Sequence, residues 1–230
     1  MPRIVFEEVS ASFAGKTVLE PLSLELTESR IGIIGANGGG KSTLIRMING
    51  LGEPTSGKVT VDGVNPATHG RDVRRRVGFV FSDAENQIIM PTVREDIAFS
   101  LRRMKVSREE RDARVAAMMA RFGLTELADS SPHVLSGGEK QLLALAAVLI
   151  IEPAVIIADE PTTLLDLRNR LRIRREFDSL DQQLIVVTHD LDFLTGFDRV
   201  LCIDDHRIVA DGDPHQVIHD YRNQMLREEN

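Results

Sequence analysis

Residues 35–42 read Gly35-Ala36-Asn37-Gly38-Gly39-Gly40-Lys41-Ser42 and fit the pattern G-x-x-x-x-G-K-[ST]. The apolar run Ile31-Gly32-Ile33-Ile34 lies directly before them, and a helical stretch from about Lys41 to the glycines 50 and 52 follows. A strand, a glycine loop and a helix in this order form a cradle for a phosphate chain. Glycines allow the backbone to wrap the anion, and successive N–H groups at a helix start point towards it. Lys41 then neutralises the β- and γ-phosphates, and the Ser42 hydroxyl is offered to Mg²⁺. Asn37, Gly38, Gly39, Gly40 and Thr43 are read as the remaining contacts of this loop with the phosphate chain.

The chain around this loop has 230 residues and 42% hydrophobic residues, enough for a buried core. Its charge, 28 − 35 = −7, argues against a general nucleic-acid coat, which needs dense Lys and Arg. The longest purely apolar run, Leu142 to Ile151, spans ten residues, half of the ~20 needed to cross a bilayer. The N-terminus has no apolar segment followed by a cleavage site, and the single cysteine, Cys202, reads as a packed core thiol in a reducing cytosolic compartment.

Strands are expected at Arg3–Val9, Leu22–Leu26, Ile31–Ile34, Lys58–Val61 and Val77–Phe81, with one helix among them. From Thr92 to about Ala128 the period turns helical, with capping boxes at Thr92/Glu95 and Ser107/Glu110. A further helix opens at Ser136-Gly137-Gly138 and runs to Ile151 ahead of Pro153. Strands then return at Val155–Ala158, Leu184–Thr188 and Val200–Ile203, alternating with helices, which implies a mostly parallel sheet covered on both faces. The charged tail from Pro214 reads as a surface helix. Its i,i+4 pair His215/His219 reads as a polar face rather than a metal site.

The strand Val155–Ala158 ends in two adjacent carboxylates, Asp159 and Glu160, which must point to opposite sides. Asp159 is assigned to the metal from behind its direct ligands or through water, with Ser42 supplying its hydroxyl, and Glu160 to the attacking water as general base.

Leu135-Ser136-Gly137-Gly138-Glu139-Lys140-Gln141, with Ser136 placed 23 residues before Asp159, resembles the signature of the ATP-binding cassette ATPases. The resemblance covers essentially the whole chain. It implies an α/β P-loop NTPase core with an antiparallel β subdomain and an inserted α-helical subdomain. These form one domain over 1–230, with 1–85 and 152–230 as the nucleotide-binding lobe and 86–151 as the helical lobe. It also implies that Ser136, Gly137, Gly138 and Glu139 meet the γ-phosphate of ATP held by a second copy, so that two MgATP join a head-to-tail dimer. His189, 29 residues after Glu160, resembles the family's switch histidine. Thr163-Leu164-Leu165-Asp166 resembles the loop that touches the partner subunit, Phe13 the aromatic that stacks on adenine, and Val18 a residue lining the same base. Phe13 as simple core packing stays open.

One departure stands out. Where the family places a glutamine after Val77–Phe81, this chain has Ser82. Three readings remain: Ser82 acting through water, Gln87 taking part, or slow hydrolysis. The run Ser82–Ile88 is otherwise similar to the ATPases of energy-coupling factor transporters, which import vitamins, cobalt and nickel, and the compact length is most like those of biotin importers. The implied partners are a second ATPase subunit, in the first instance an identical one, an integral membrane coupling subunit whose helices meet residues near 85–92, and a substrate-binding membrane subunit. The implied location is the cytoplasmic face of the membrane. A non-transport cassette ATPase, such as one serving metal-cluster assembly, is the rival reading.

Overall fold

The structure, a computed structural model, describes residues 1–163 and 165–228. Leu164, in the expected partner-facing loop, lies outside the described residues. In chain order the elements are β1 (Ile4–Phe13), β2 (Lys16–Leu26), β3 (Arg30–Ile34), α1 (Lys41–Ile48), β4 (Ser56–Val61), α2 (Pro66–Val73), β5 (Val77–Val80), α3 (Val93–Phe99), α4 (Arg108–Arg121), α5 (Gly137–Leu149), β6 (Val155–Asp159), α6 (Leu167–Asp178), β7 (Gln183–Val187), β8 (Arg199–Asp204), β9 (Arg207–Gly212) and α7 (Pro214–Glu228). They fall into two compact units. One holds Met1–Val77, Ala154–Glu160 and the chain from Gln182; the other holds Gly78–Pro153 and Pro161–Asp181. The second unit therefore includes α6, which the sequence reading grouped with the nucleotide-binding lobe.

In the first unit, β2-β1-β4 form an antiparallel sheet. Ile4 and Phe6, then Val9 and Ala11, of β1 point inward with more open residues between them; the two-residue alternation slips by one between Phe6 and Val9, where the pairing register shifts and Glu8 takes a φ of 46°. The larger sheet runs β6-β7-β3-β8-β9 in this unit. Its strands β6, β7, β3 and β8 are parallel, and every residue of β6 and β7 is buried, which is why they read as unbroken apolar runs. β9 pairs antiparallel with β8 at the edge. Helix α1 closes over this core through Leu44, Ile45, Met47 and Ile48.

The second unit is built around α5. Leu142 through Leu149 are all buried, so this helix is apolar all round and must be enclosed, with α3 and α6 against it. Helix starts follow their caps: Thr92 Oγ1 accepts from Glu95 N at 3.3 Å, and Ser107 Oγ from Glu110 N at 3.1 Å.

Two elements depart from expectation. α2 is a second helix among the first eighty residues, opened by Asn65, whose side chain accepts from Ala67 N, with Pro66 in the first turn. β9 was not foreseen; it alternates exposed and half-buried residues at a sheet edge and so carries a weak apolar signal. Strands β1 and β2 also extend beyond the expected spans, joined by a turn at Ala14-Gly15.

Candidate active site

The phosphate loop is shaped by close approaches that only glycine permits. Gly35 has φ 132°, and a Cβ there would fall 1.8 Å from the carbonyl oxygen of Ile203 on β8. Gly40 has φ 103°, and its Cβ would meet the Val18 carbonyl oxygen at 2.5 Å. Because Gly40 is the cap residue of α1, no side chain satisfies the first N–H groups of this helix. Unpaired donors and the positive end of the helix dipole thus face outward as an anion site.

That helix start opens into a cavity of about 290 Å³ lined by Val18, Asn37, Gly38, Gly40, Lys41, Ser42, Thr43, Asp159, Glu160 and Val187. Residues spread over more than a hundred positions of sequence thus meet in one place. The Lys41 ammonium donates to the carbonyl oxygens of Gly35 at 2.8 Å and Ala36 at 2.7 Å. Its burial lowers its pKa, an effect opposed by the nearby charges of Glu160 and Asp159. Two bonds to the loop leave the third N–H of the ammonium for a phosphate oxygen.

At the end of β6 the two carboxylates diverge. Asp159 is buried and accepts a hydrogen bond from Ser42 Oγ at 3.1 Å, with Arg46 Nη2 3.7 Å away. Burial pushes its carboxyl above the usual range, against the pull of the Ser42 bond and the Arg46 charge. A hydroxyl and a carboxylate beside a phosphate pocket are hard oxygen donors of the kind Mg²⁺ takes, with phosphate oxygens and waters completing its shell. The desolvated carboxylate gains most from a cation. Glu160 instead takes a left-handed backbone conformation, φ 53°, while its N–H donates to Val187 O at 2.8 Å. The turn swings the carboxylate towards His189. Its Oε2 lies 2.7 Å from His189 Nδ1 and 3.3 Å from the His189 main-chain N. A carboxylate accepts, so Nδ1 carries the proton of this contact.

Arg46 and Val187 complete this picture and were not foreseen. The signal for Arg46 was available in its i+4 spacing from Ser42 on α1. Three foreseen positions of the first unit stand outside the cavity lining. Gly39 turns to the inner side of the loop, where its N–H donates to Ala36 O at 3.2 Å. His189 enters only through Glu160. Phe13 sits at the tip of the β1–β2 hairpin, 80% exposed, which removes the core-packing alternative for its ring.

Ser136, Gly137, Gly138 and Glu139 belong to the second unit, as the cap and first turn of α5. The capping box is complete: Ser136 Oγ accepts from Glu139 N at 3.4 Å, and Glu139 Oε2 accepts from the Ser136 N–H at 2.8 Å and its hydroxyl at 2.7 Å. These contacts hold the Glu139 pKa down. Gln87, in the same unit, is committed to backbone at both ends of its amide. Its Oε1 accepts from Phe81 N at 3.1 Å, and its Nε2 faces the carbonyl oxygens of Phe79 and Ala144, both at 3.4 Å. Through these contacts it ties β5 to α5.

Cys202 is buried on β8, as expected, and burial pushes its thiol up to about 11. No helix among the described residues is long and apolar enough to cross a membrane.

A loop with free helix N–H groups, a buried lysine, a hydroxyl–carboxylate pair and a carboxylate held by histidine define a P-loop ATPase, an enzyme that hydrolyses ATP. The profile of the family described as ABC transporter matches residues 19–163. The chain belongs to this family, as an ATP-hydrolysing subunit with the α/β P-loop fold. It is 47% identical over 219 residues to the biotin transport ATP-binding protein BioM of Rhizobium etli, covering 95% of this chain and 97% of that protein. It is 41% identical over 193 residues to the energy-coupling factor transporter ATP-binding protein EcfA1 of Levilactobacillus brevis, covering 81% and 69% respectively. Among solved structures, that of cbiO1 from Clostridium perfringens, part of the ABC transporter complex cbiONQ, superposes with a TM-score of 0.83 at 30% identity, over 98% of this chain and 93% of that one.

Proposed function

We propose that this chain is the ATPase subunit of an energy-coupling factor-type importer at the cytoplasmic face of a membrane, and that the cargo of its membrane partners is a vitamin, with biotin the first candidate. The observation that carries this reading is the end-to-end match to a biotin transport ATP-binding protein at 47% identity. Two copies close head to tail over two MgATP. Each triphosphate lies on Asn37, Gly38, Gly39, Gly40, Lys41, Ser42 and Thr43 of one copy and meets Ser136, Gly137, Gly138 and Glu139 of the other. Phe13 stacks on adenine and Val18 lines the base.

Glu160 accepts a proton from water as the water oxygen bonds to the γ-phosphorus, and the bond between that phosphorus and the β–γ bridging oxygen breaks to release ADP. His189 keeps Glu160 aimed through its Nδ1 contact, and Lys41 stabilises charge on the phosphate oxygens. Ser42 would hold Mg²⁺ through its hydroxyl, with Asp159 behind it or reaching it through water, and the bound ion would supply further charge neutralisation. The protein's contribution is placement and electrostatics.

The test is purification of the tagged chain from detergent-solubilised membranes of its native host, followed by labelled-biotin uptake in a host expressing the recovered partners. Recovery with two integral membrane proteins and ATP-dependent biotin uptake is expected. Recovery wholly in the soluble fraction would overturn the transport reading in favour of a non-transport ATPase, and uptake of a different solute would overturn the cargo.

A further inference from the structure

The turn between β8 and β9 contains two successive residues in the left-handed region, Asp205 at φ 46° and His206 at φ 64°. The His206 ring is half-buried, and its Nδ1 lies 3.2 Å from the main-chain carbonyl oxygen of Val18. A carbonyl only accepts, so Nδ1 carries the proton and donates. The His206 carbonyl in turn accepts the N–H of Glu20 at 2.8 Å. β2 is the edge strand of its sheet, so no ladder partner holds residues 18–20 on that side. One turn residue supplies both bonds instead.

The atom that His206 holds is also the one that bounds the phosphate loop. The Val18 carbonyl oxygen lies 2.5 Å from where a Cβ on Gly40 would fall, and Val18 itself lines the cavity. The neighbouring end of β8 meets the same loop from another side, since Ile203 O lies against both Gly35 and Gly39. The β8–β9 hairpin thus fixes the loop directly through Ile203 and fixes the wall beside it through His206.

We propose that His206 is a positioning residue for the nucleoside part of ATP, acting through Val18: its hydrogen bond sets the height of the Val18 wall over Gly40, while the loop that takes the triphosphate keeps its separate hold on Ile203 through Gly35 and Gly39. The proposal rests on the reading of this cavity as the ATP site.

The test compares calorimetric binding of ATP and of inorganic tripolyphosphate to the full chain, with steady-state kcat and KM for ATP. His206→Ala should weaken ATP binding and raise KM about fivefold, the size expected for one lost hydrogen bond whose acceptor stays half-buried, with kcat and tripolyphosphate affinity retained. His206→Asn should restore ATP binding to within about twofold, because Asn tolerates positive φ and its amide can donate to the same carbonyl. His206→Gly, which relaxes the turn but has no donor, should behave as the alanine variant and serves in its place if that variant does not fold. Wild-type ATP affinity in the alanine or glycine variant, equal loss of ATP and tripolyphosphate, or no rescue by asparagine would each overturn the proposal. Failure of the unsubstituted chain to bind ATP would instead overturn the reading of the cavity.

Discussion

At the residue scale, Asp159 and Glu160 show how neighbouring carboxylates acquire different work from their surroundings. Asp159 is buried, and its raised pKa means that the folded state binds its proton more tightly than the unfolded state, whose carboxyl titrates near 3.8. Its contribution to stability is therefore greatest below 3.8 and is lost as the pH rises through the raised folded value. At pH 7 the charged Asp159 is a stability cost, which a bound cation would offset. Asp159→Asn should accordingly melt higher than the wild type at pH 7, with the gap closing as the pH falls towards 4, while Mg²⁺-dependent enhancement of ATP binding disappears. Thermal melts across this range, and ATP titrations with and without Mg²⁺, check both halves. Glu160 is held outward by a left-handed backbone and by His189. Glu160→Gln keeps the shape and removes the proposed base, so turnover should fall by roughly a hundredfold or more with ATP affinity unchanged, as read by single-turnover hydrolysis.

At the element scale, the decisive contact is between the phosphate loop and β8. Gly35 is followed by a loop that must pass under Ile203, and Ile203 cannot move aside because β8 is paired with β3 through Cys202–Ile34 and with β9 through Ile203–Ile208. Gly35→Ala should therefore destabilise the protein by about 3 kcal/mol or more, summing an overpacked contact and a strained φ; a denaturant melt within 1 kcal/mol of wild type would show that the strand end yields. The loop itself was legible in the sequence because strand, glycines, lysine and helix are contiguous. The starts of α3, α4 and α5 were legible because Thr92, Ser107 and Ser136 are local caps. What was not legible depended on distant partners. β9 is an edge strand whose side chains are at most half-buried, so its pairing with β8 decides its conformation more than its own pattern does. The left-handed turns at Glu160 and His206 lack the glycine that usually marks them. The commitment of Gln87 to three backbone groups around β5 and α5 cannot be read from its position near Ser82.

At the scale of the whole molecule, each unit carries half of what hydrolysis requires under the head-to-tail reading. The first unit has the phosphate loop, the Ser42–Asp159 pair proposed to serve Mg²⁺, and Glu160; the second has the Ser136 helix start. The question is whether a working site draws both halves from one chain or from two, and two inactive variants answer it. Lys41→Ala removes the charge proposed to grip the phosphates, and Ser136→Arg fills the helix start with a bulky side chain. Each homodimer has no intact site. In a mixed dimer, the loop of the Ser136→Arg copy meets the intact Ser136 of the Lys41→Ala copy, so one of its two sites is whole. Random pairing at equal amounts makes half of the dimers mixed and should return about a quarter of the wild-type sites. ATPase activity that rises on mixing, with a maximum at equal amounts and a dependence on total protein concentration, is expected. Activity that stays at the level of the separate variants at every ratio would place the complete site within a single chain and remove the ATP-joined dimer from the mechanism.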